Sequence, residues 1–344
     1  NLTAQYQFGN AYYTMFRPLA YNDKLRWEQT ATTNIAVDFG FFDQRITGSV
    51  DFYLKKTKDL LNVVNQSAGT NFAALVLSNV GNMENKGVEL TVNTQIVRKT
   101  DLNVDFGFNV TYNRNRITKL TFTDDPNYPG QKYGGISGGT GNSVLINSVG
   151  YARGAFYVHK QVYDANGKPI ENMFEDLDRD GLITDKDLYR YKNANPDVFL
   201  GFNGNVTYKR WNGGFVMRAS LGNYMYNNVY SSTGTQRNIL NPLNYLANGS
   251  KNVLESGFNG GGQRYYLSDY YIQNASFLRM DNINIGYNFG KVFNGKATLR
   301  ANANVQNAFI ITKYKGADPE IGGGIDNNFY PRPRTFVFGL NLDF

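Results

Sequence analysis

The stretch from Leu102 to Tyr112 reads LNVDFGFNVTY, and every second residue in it is apolar or aromatic. Because successive side chains of a β-strand point to opposite faces, this spacing puts an apolar row on one face and a polar row on the other. Asn, Asp, Gly and Thr make up the polar row, and no position breaks the alternation. A strand of a globular protein has about 5 to 6 residues, whereas a tilted strand that crosses a membrane needs about 9 to 11. The length and regularity of the stretch therefore favour a membrane-spanning strand.

The same alternation recurs from end to end of the chain and predicts about ten strands, most of them long enough to cross a membrane. Between Met280 and Ile283 the apolar row shifts by one residue, which predicts a β-bulge. The predicted strands lie near residues 2–8, 27–41, 46–60, 80–98, 102–122, 197–210, 213–227, 268–289, 297–311 and 335–344.

The connections between these strands alternate between two kinds. Short turns are predicted near residues 42–45, 98–101, 211–214 and 290–296, and long loops at 9–26, 61–79, 123–196, 228–267 and 312–334. Such alternation is typical of an antiparallel up-and-down β-barrel of an outer membrane, with short periplasmic turns and long extracellular loops. The alternative is a soluble sandwich, propeller or lectin, whose strands also alternate because one face meets a core. That alternative gives no reason for every long loop to lie at one end.

Composition excludes several other classes of protein. The chain has 344 residues and no cysteine, so disulfide scaffolds, thiolate nucleophiles and Cys-ligated metals are absent. No segment approaches the about 18 to 20 consecutive apolar residues of a membrane-spanning helix. The only histidine, His159, lies in no catalytic motif, so we expect it to be structural and expect no catalytic residue. The net charge is +7, but the basic residues are scattered without an RNA-binding signature, so no nucleic-acid partner is expected.

Ten strands raise a question of closure, because an unpaired strand edge in hydrocarbon costs several kcal/mol per backbone group. Either the ten strands close a small barrel, or they are the C-terminal part of a larger one. The opening residues NLTAQYQFGN have neither the charged segment nor the apolar segment of a secretion signal. We therefore expect the C-terminal part of a larger barrel.

Five stretches of the sequence, in their order and spacing, resemble the SusC/RagA family of TonB-dependent outer-membrane transporters. Each stretch alone is only a strand with turn residues, but together they cover nearly the whole chain. The stretches are DKLRWEQTATTNIAVDFGFFDQRITGSVDFYLKKTKDLL (Asp23 to Leu61), SNVGNMENKGVEL (Ser78 to Leu90), YYIQNASFLRMDNINIGYNFG (Tyr270 to Gly290), VQNAFIITKYKGADPE (Val305 to Glu320) and YPRPRTFVFGLNLDF (Tyr330 to Phe344).

The resemblance implies a twenty-two-stranded barrel filled by an N-terminal plug, of which residues 1–344 would be the C-terminal part without the plug. It implies TonB-dependent import of a large nutrient, an oligosaccharide or an oligopeptide, across the outer membrane and without catalysis. Implied partners are outer-membrane lipid, a SusD-like surface lipoprotein and TonB, which would act through the missing N-terminal region. A passive porin and a soluble carbohydrate-binding β protein are the alternatives.

The sharpest local motif is DLDRDGLITDKD, from Asp176 to Asp187. Its acidic residues and its glycine follow the spacing of a calcium-binding loop, in which carboxylates alternate along the chain and a backbone carbonyl supplies a further ligand. The sequence predicts a structural Ca²⁺ that organises the loop 123–196, and an acidic turn without metal is the alternative. The predicted ligands are Asp176, Asp178, Asp180, Leu182 and Asp187.

Tyrosines cluster beside the long loops, next to amide side chains. Aromatic faces beside amides are what a sugar or peptide site would use, although the rims of membrane barrels are aromatic as well. The predicted substrate-binding residues are Tyr224, Tyr226, Tyr230, Tyr265 and Tyr266.

The last residues of the chain are in phase with the final predicted strand. Gly339, Leu342 and Phe344 resemble the terminal assembly signal of outer-membrane barrels, in which a final aromatic residue and an apolar residue two positions before it face lipid. Because a closing strand without its partner would expose an edge that lipid cannot solvate, we expect this strand to be essential for assembly.

Overall fold

A computed structural model describes residues 2–17, 20–67, 69, 71–122, 125–137, 141–240, 245–262, 264–327 and 329–344. Strands dominate it, and no helix among these residues is long and apolar enough to cross a membrane. The strands are β1 (Leu2–Phe8), β2 (Ala11–Arg17), β3 (Gln29–Phe41), β4 (Ile46–Asn65), β5 (Leu75–Arg98), β6 (Leu102–Lys119), β7 (Gln131–Gly135), β8 (Ser143–Asn147), β9 (Ala155–His159), β10 (Gln161–Tyr163), β11 (Pro169–Phe174), β12 (Leu188–Asn193), β13 (Val198–Tyr208), β14 (Trp211–Leu221), β15 (Tyr224–Asn227), β16 (Ile272–Asn274), β17 (Phe277–Val292), β18 (Ala297–Thr312), β19 (Ile325–Asp326) and β20 (Thr335–Asp343). The helices are α1 (Asn228–Thr233), α2 (Gln236–Ile239) and α3 (Asn252–Ser256), with 3-10 turns at Asp185–Asp187, Tyr265–Leu267 and Asp269–Tyr271.

Nine long strands form one antiparallel sheet in the order β20-β18-β17-β14-β13-β6-β5-β4-β3. Strands that are neighbours in the sheet are consecutive among these nine along the chain, which is the up-and-down topology that the sequence predicts. Nine of the ten predicted strands lie in this sheet, so the antiparallel all-β fold is confirmed. Within the described residues the sheet is open, with β3 and β20 at its edges.

Several predicted boundaries are wrong. The strand predicted at 213–227 ends at Leu221, and the strand predicted at 268–289 begins at Phe277. The strand predicted at 2–8 is not part of the large sheet, because β1 pairs only with β2, which lies inside the predicted loop 9–26. The loop predicted at 61–79 covers only residues 66–74, because the pairing of β4 with β5 continues into the predicted loop. The turn predicted at 211–214 lies at residues 209–210, where Lys209 adopts a positive φ of 51°. Alternation alone cannot separate the end of a long strand from the turn that follows it.

One face of the large sheet is a continuous apolar band. Cross-strand register places Phe52 beside Val88 and Val88 beside Tyr112, and the rings of Phe108 and Phe202 lie 5.2 Å apart. At the end with the short turns, the rings of Trp211 and Tyr287 are 4.6 Å apart and Phe289 lies beside them. Such aromatic groups mark the level of the membrane interface.

The predicted β-bulge is present in β17. Val216 of β14 pairs with Asn282, but the next residue, Met217, pairs with Met280, which leaves Asp281 as the extra residue. The register of β17 with β18 also shifts between Met280 and Asn282, but there β18 advances from Phe309 to Gln306 and so carries the extra residue. The bulge moves the apolar row of β17 from Met280 to Ile283 and so keeps it on the apolar face along the whole strand.

The connections opposite the short turns fold into a separate layer, termed here the loop layer (residues 125–137, 141–197, 222–240, 245–262, 264–276 and 313–327). It holds a four-stranded sheet in the order β12-β9-β8-β7, a three-stranded sheet in the order β16-β15-β19, and the hairpin β10-β11. Residues 18–19, 68, 70, 123–124, 138–140, 241–244, 263 and 328 of the predicted loops lie outside the described residues. The largest buried apolar cluster of the described chain is in this layer. Members of the cluster include Val144, Leu145, Phe156, Val158, Phe258 and Ile272. The large sheet buries only a small apolar cluster, of Val64, Val76 and Val80 near the loop layer, and exposes many of its other apolar side chains.

The facing of the large sheet makes a testable prediction. In the complete membrane protein, Phe106→Arg should lower the free energy of unfolding by about 2 to 4 kcal/mol, because it places a charge in the apolar band near mid-membrane. Asn109→Arg, on the opposite face of the same strand, should cost much less. Unfolding in denaturant from lipid bilayers measures both values, and equal losses would contradict the assigned faces.

Candidate functional site

The second face of the large sheet is polar and carries mainly amide side chains and glycines. Along the register of β17 and β18, Asn282 pairs with Gln306 and Asn284 with Asn304. The amides also bond to one another: Asn282 Nδ2 donates to Asn304 Oδ1 at 3.1 Å, and Asn284 Nδ2 donates to Asn282 Oδ1 at 3.3 Å. A face of uncharged hydrogen-bonding groups suits the water-filled interior of a barrel.

Glycines on the polar face lie under asparagine side chains of the neighbouring strand. A Cβ atom placed on Gly286 would overlap the side-chain oxygen of Asn212, and one placed on Gly107 would overlap that of Asn203. The same holds for Gly339, which lies under Asn302. Since glycine leaves the space above it empty, the amide can fold flat against the sheet and the wall stays smooth.

Three arginines and three acidic residues form an ion cluster where the polar face meets the loop layer. Arg218 and Arg279 come from neighbouring strands, whereas Asp318, Glu320 and Arg332 come from the connection between β18 and β20. Arg218 Nη1 donates to Glu320 Oε1. The other contacts include Arg218 Nε to Asp281 Oδ2 at 2.7 Å, Arg218 Nη2 to Glu320 Oε2 at 2.8 Å, Arg279 Nη2 to Asp318 Oδ1 at 2.6 Å, and Arg332 Nη1 to Glu320 Oε2 at 3.0 Å.

The ion cluster fixes the connection 313–334 to the inner wall. The side chain of Arg279 is only 3% exposed and that of Asp318 only 9%. Separating the two would leave buried charges with little water around them, which is costly. Burial raises the pKa of the Glu320 carboxyl, but the hydrogen bond and charge of Arg218 outweigh it, so this pKa lies below its ordinary value. Glu320 is therefore ionised at neutral pH and links the two strand arginines to Arg332.

Sequence reasoning missed the ion cluster, although a signal was present. Arg218 and Arg279 are charged residues on the polar face of membrane strands, and Asp281 is the bulged residue beside them. Charges at such positions need partners. The partners could not be named because they lie 39 and 102 residues away along the chain.

The predicted calcium loop is compact, and it brings together three of its five predicted ligands. One carboxylate oxygen from each of Asp176, Asp178 and Asp187 lies within 4.8 Å of the others. Asp180 is not in this group; its Oδ1 accepts from the Leu182 amide at 2.9 Å instead. The backbone wraps around Asp176, whose two oxygens accept from the amides of residues 179 and 181 at 2.6 and 2.8 Å.

Asp187 is completely buried and is the anchor of this loop. Its Oδ2 accepts from the Thr184 amide at 2.7 Å and its Oδ1 from the Leu177 amide at 2.8 Å. Hydrogen bonds from these backbone amides, that of Thr184 first, hold the pKa of Asp187 below its ordinary value against the effect of burial. Lys186 Nζ lies 3.6 Å from Asp178 Oδ2 and 3.7 Å from Asp180 Oδ2, so it partly neutralises the loop.

The predicted substrate tyrosines are gathered in the loop layer, but two of them are closed to a ligand. Tyr226 is 0% exposed and Tyr265 is 3% exposed, and both belong to the main apolar cluster. Tyr226 Oη donates to the Tyr266 carbonyl at 2.6 Å. Tyr224, Tyr230 and Tyr266 are half-buried against the same cluster, so a ligand role stays a prediction for these three.

His159 is buried in the loop layer and packs against Phe174, with the ring centres 5.0 Å apart. Burial lowers its pKa, so the ring is neutral at pH 7. This environment agrees with the structural role expected from the sequence.

Of the three predicted assembly residues, Leu342 lies on the apolar face opposite Leu299, whereas Gly339 lies on the polar face opposite Asn302. Phe344, beyond the end of β20, is 94% exposed. A role for the three in assembly stays a prediction.

Long antiparallel strands with one apolar and one amide-rich face, aromatic residues at the level of the turns and all folded loops at the other end define a segment of an outer-membrane β-barrel. A family model described as TonB dependent receptor-like, beta-barrel matches residues 2–175. The chain belongs to this family. Receptors of this kind are transporters and not enzymes, in agreement with the expectation from the sequence.

Individual relatives agree with this assignment. The chain is 45% identical to the TonB-dependent receptor SusC of Bacteroides thetaiotaomicron over 349 aligned residues, covering 100% of the chain and 35% of the receptor. It is 28% identical to TonB-dependent receptor P3 of Formosa agariphila, covering 94% of the chain and 35% of that receptor. Among solved structures, the RagAB peptide transporter matches 100% of the chain and 38% of the matched chain, with a TM-score of 0.76 and 26% identity.

The chain therefore spans about a third of the length of the curated relatives it matches. This proportion explains why the nine-stranded sheet is open: it is part of a larger barrel whose other strands would pair with its edges. The expected relationship to SusC and RagA is confirmed, and so is the outer-membrane location.

The ion cluster yields a prediction about the connection 313–334. In the complete protein, Arg279→Leu should remove the closest partner of the buried Asp318, which keeps only the longer contact with Arg332 at 3.5 Å. The attachment of this connection should be weakened by about 3 kcal/mol, the lower end of the cost of breaking a buried ion pair. Limited proteolysis should then show cleavage within residues 313–334. Arg300→Leu is the matched control, because Arg300 pairs with Asp343 at a site where both side chains are 56% exposed. It should cost less than about 1 kcal/mol. Equal protection of the connection in both variants would show that the ion cluster is not the anchor.

Proposed function

We propose that the complete protein imports a large nutrient, an oligosaccharide or an oligopeptide, across the outer membrane in a TonB-dependent manner. The observation that carries the proposal is the 45% identity to the TonB-dependent receptor SusC along 100% of the chain. The likeness to the RagAB peptide transporter supports it, since that protein transports peptides.

The polar wall supports a cargo of this chemistry. Its amides can donate to and accept from the hydroxyl groups of a sugar or the main chain of a peptide. We further propose that the loop layer faces the cell exterior and receives a SusD-like surface lipoprotein. Its folded sheets and half-buried tyrosines offer a firm docking surface, unlike unstructured loops.

The transport proposal is tested by uptake of fluorescent oligosaccharides and oligopeptides into cells that carry the complete protein. We expect uptake of one of these two cargo classes that stops when TonB is deleted and when the proton gradient is dissipated. Cells lacking the receptor provide the background. Uptake that persists without TonB would favour the alternative of a passive porin, which needs no energy coupling. Absence of receptor-dependent uptake for both classes would contradict the proposed cargo.

We also propose that the loop 176–187 holds a structural Ca²⁺ through Asp176, Asp178 and Asp187. Hard carboxylate oxygens are the ligands that Ca²⁺ prefers, and oxygens of three carboxylates lie within 4.8 Å of one another here. The ion would add to the backbone hydrogen bonds of Asp176 and Asp187 and hold the loop closed. Lys186 would have to turn away from Asp178 when the ion binds.

Calcium should protect residues 123–196 of the complete protein from protease, and a chelator should remove the protection. The double variant Asp176→Ala, Asp178→Ala should be cleaved equally with and without calcium. Asp185→Ala is the matched control: Asp185 is an exposed neighbour that pairs with Lys132 at 2.8 Å and is outside the group, so calcium protection should persist. If the unmodified protein shows the same digestion pattern in calcium and in chelator, the loop is an acidic turn without metal.

A further inference from the structure

The apolar band of β4, β5 and β6 ends in a row of basic residues on its loop-layer side. Register places Phe52, Val88 and Tyr112 side by side, and this row is the last one without a charged residue. The next row on the same face consists of Leu54, Lys86 and Arg114, and the row after it of Lys56, Glu84 and Arg116. Since side chains of one face recur at every second residue, these charges stand directly above the apolar band.

The four cations of these two rows are Lys56, Lys86, Arg114 and Arg116, and all four are exposed. Across the part of the chain that the structure describes, none of them forms an ion pair with an acidic side chain, although Glu84 lies between two of them. Four positive charges and one carboxylate leave a local net charge of +3. An uncompensated basic cluster at the edge of a lipid-facing surface attracts anionic groups of the lipids.

Below this cationic row the band contains a groove of about 450 Å³ that opens toward lipid. Its walls are mainly apolar side chains of four adjacent strands, β3 to β6, and Lys86 and Arg114 close its upper end. The apolar residues of the wall include Ile35, Phe52, Val88 and Tyr112.

Above the row lies a second cavity, of about 510 Å³, between the sheet and the loop layer. Arg114 and Arg116 form one side of it, and an aromatic ring and amides form the other. These are groups that bind sugar hydroxyls, because the ring covers a sugar face while the amides exchange hydrogen bonds with it. The residues of that other side include Tyr151, Asn193 and Asn195. The carboxylates of Glu84 and Asp197 also line this cavity, which favours an uncharged sugar there and leaves the phosphate to the row below.

The order of chemistry along the strands is thus apolar groove, cationic row and amide-rich cavity. An acyl chain would fill the groove, and a phosphate would contact Lys86 and Arg114. The guanidinium of Arg114 can donate two parallel hydrogen bonds to phosphate oxygens, and the ammonium of Lys86 adds a positive charge. A sugar attached to the phosphate would reach the upper cavity. A simple phospholipid would fill only the first two of these regions.

We propose that this surface binds a phosphorylated glycolipid of the surrounding membrane, with its phosphate on Lys86 and Arg114. The inference rests on the outer-membrane location and on the proposed exterior side of the loop layer, but not on any cargo. Binding can be measured on purified protein without transport, so its failure and the failure of import are separate results.

The test uses the complete protein in detergent and native mass spectrometry. Three lipids are titrated: an acylated glucosamine disaccharide with two phosphates, the same glycolipid without phosphate, and phosphatidylglycerol. The first should be retained in preference to the other two. The double variant Lys86→Gln, Arg114→Gln should weaken its retention by about tenfold or more, as expected for the loss of two charges at a membrane surface.

The matched control is Lys99→Gln, Lys209→Gln, which removes the same charge from exposed turns at the opposite end of the same sheet and should leave retention unchanged. The exchange Lys86→Arg, Arg114→Lys should restore retention, which separates loss of charge from loss of folding. Equal retention of the phosphate-free glycolipid, or no effect of the double Gln variant, would overturn the proposal. Equal retention of phosphatidylglycerol would overturn the glycolipid assignment. A dimer in the same mass spectra that the double Gln variant abolishes would also overturn it, because this face would then bind a second copy of the protein.

Discussion

The structure depends on one constraint: inside hydrocarbon, each backbone N–H and C=O group must find a partner in the protein. In the nine-stranded sheet the antiparallel neighbours supply these partners, and only the outer sides of β3 and β20 lack them within the described residues. With the backbone satisfied by the sheet, the side chains are free to sort by face. One face can be wholly apolar because lipid surrounds it, and the other can carry amides because it meets the interior.

This arrangement moves the hydrophobic core to an unusual place. A sheet of a soluble protein buries its apolar face against a second layer, whereas here that face stays exposed for lipid. Burial driven by water occurs in the loop layer, where Phe156, Tyr226 and Tyr271 are completely buried. The loop layer therefore behaves as a small globular domain, and the ion cluster around Arg279 ties it to the sheet.

The large sheet could be predicted from the sequence, because the alternation of side chains over more than nine residues is strong enough to survive small errors in the ends. Even the bulge at Asp281 was visible as a phase shift in the apolar row. The loop layer could not be predicted in the same way. Its strands have only two to six residues, and its contacts join residues far apart in sequence, as with Tyr189 Oη and Asp269 Oδ2 at 2.6 Å.

The candidate sites show the same division. Spacing within twelve residues was enough to identify Asp176, Asp178 and Asp187 as neighbours, because a short loop leaves few ways to arrange them. It could not show that the Asp180 carboxylate turns toward the Leu182 amide. Nor could it show that Tyr226 and Tyr265 belong to the buried apolar cluster of the loop layer. These outcomes depend on packing against distant segments, which residue type and local spacing do not encode.

The parallel pair of β15 and β19 has a consequence for the order of events during biogenesis. It joins Tyr226 to Ile325, and the Tyr226 amide donates to the Gly324 carbonyl at 2.9 Å. Between these partners the chain passes through β17 and β18, two long strands of the membrane sheet. Contacts between distant residues close late, since the intervening chain must be ordered first. The loop layer is therefore completed only after β17 and β18 have formed, so in an immature chain the end of the sheet opposite the short turns stays uncovered.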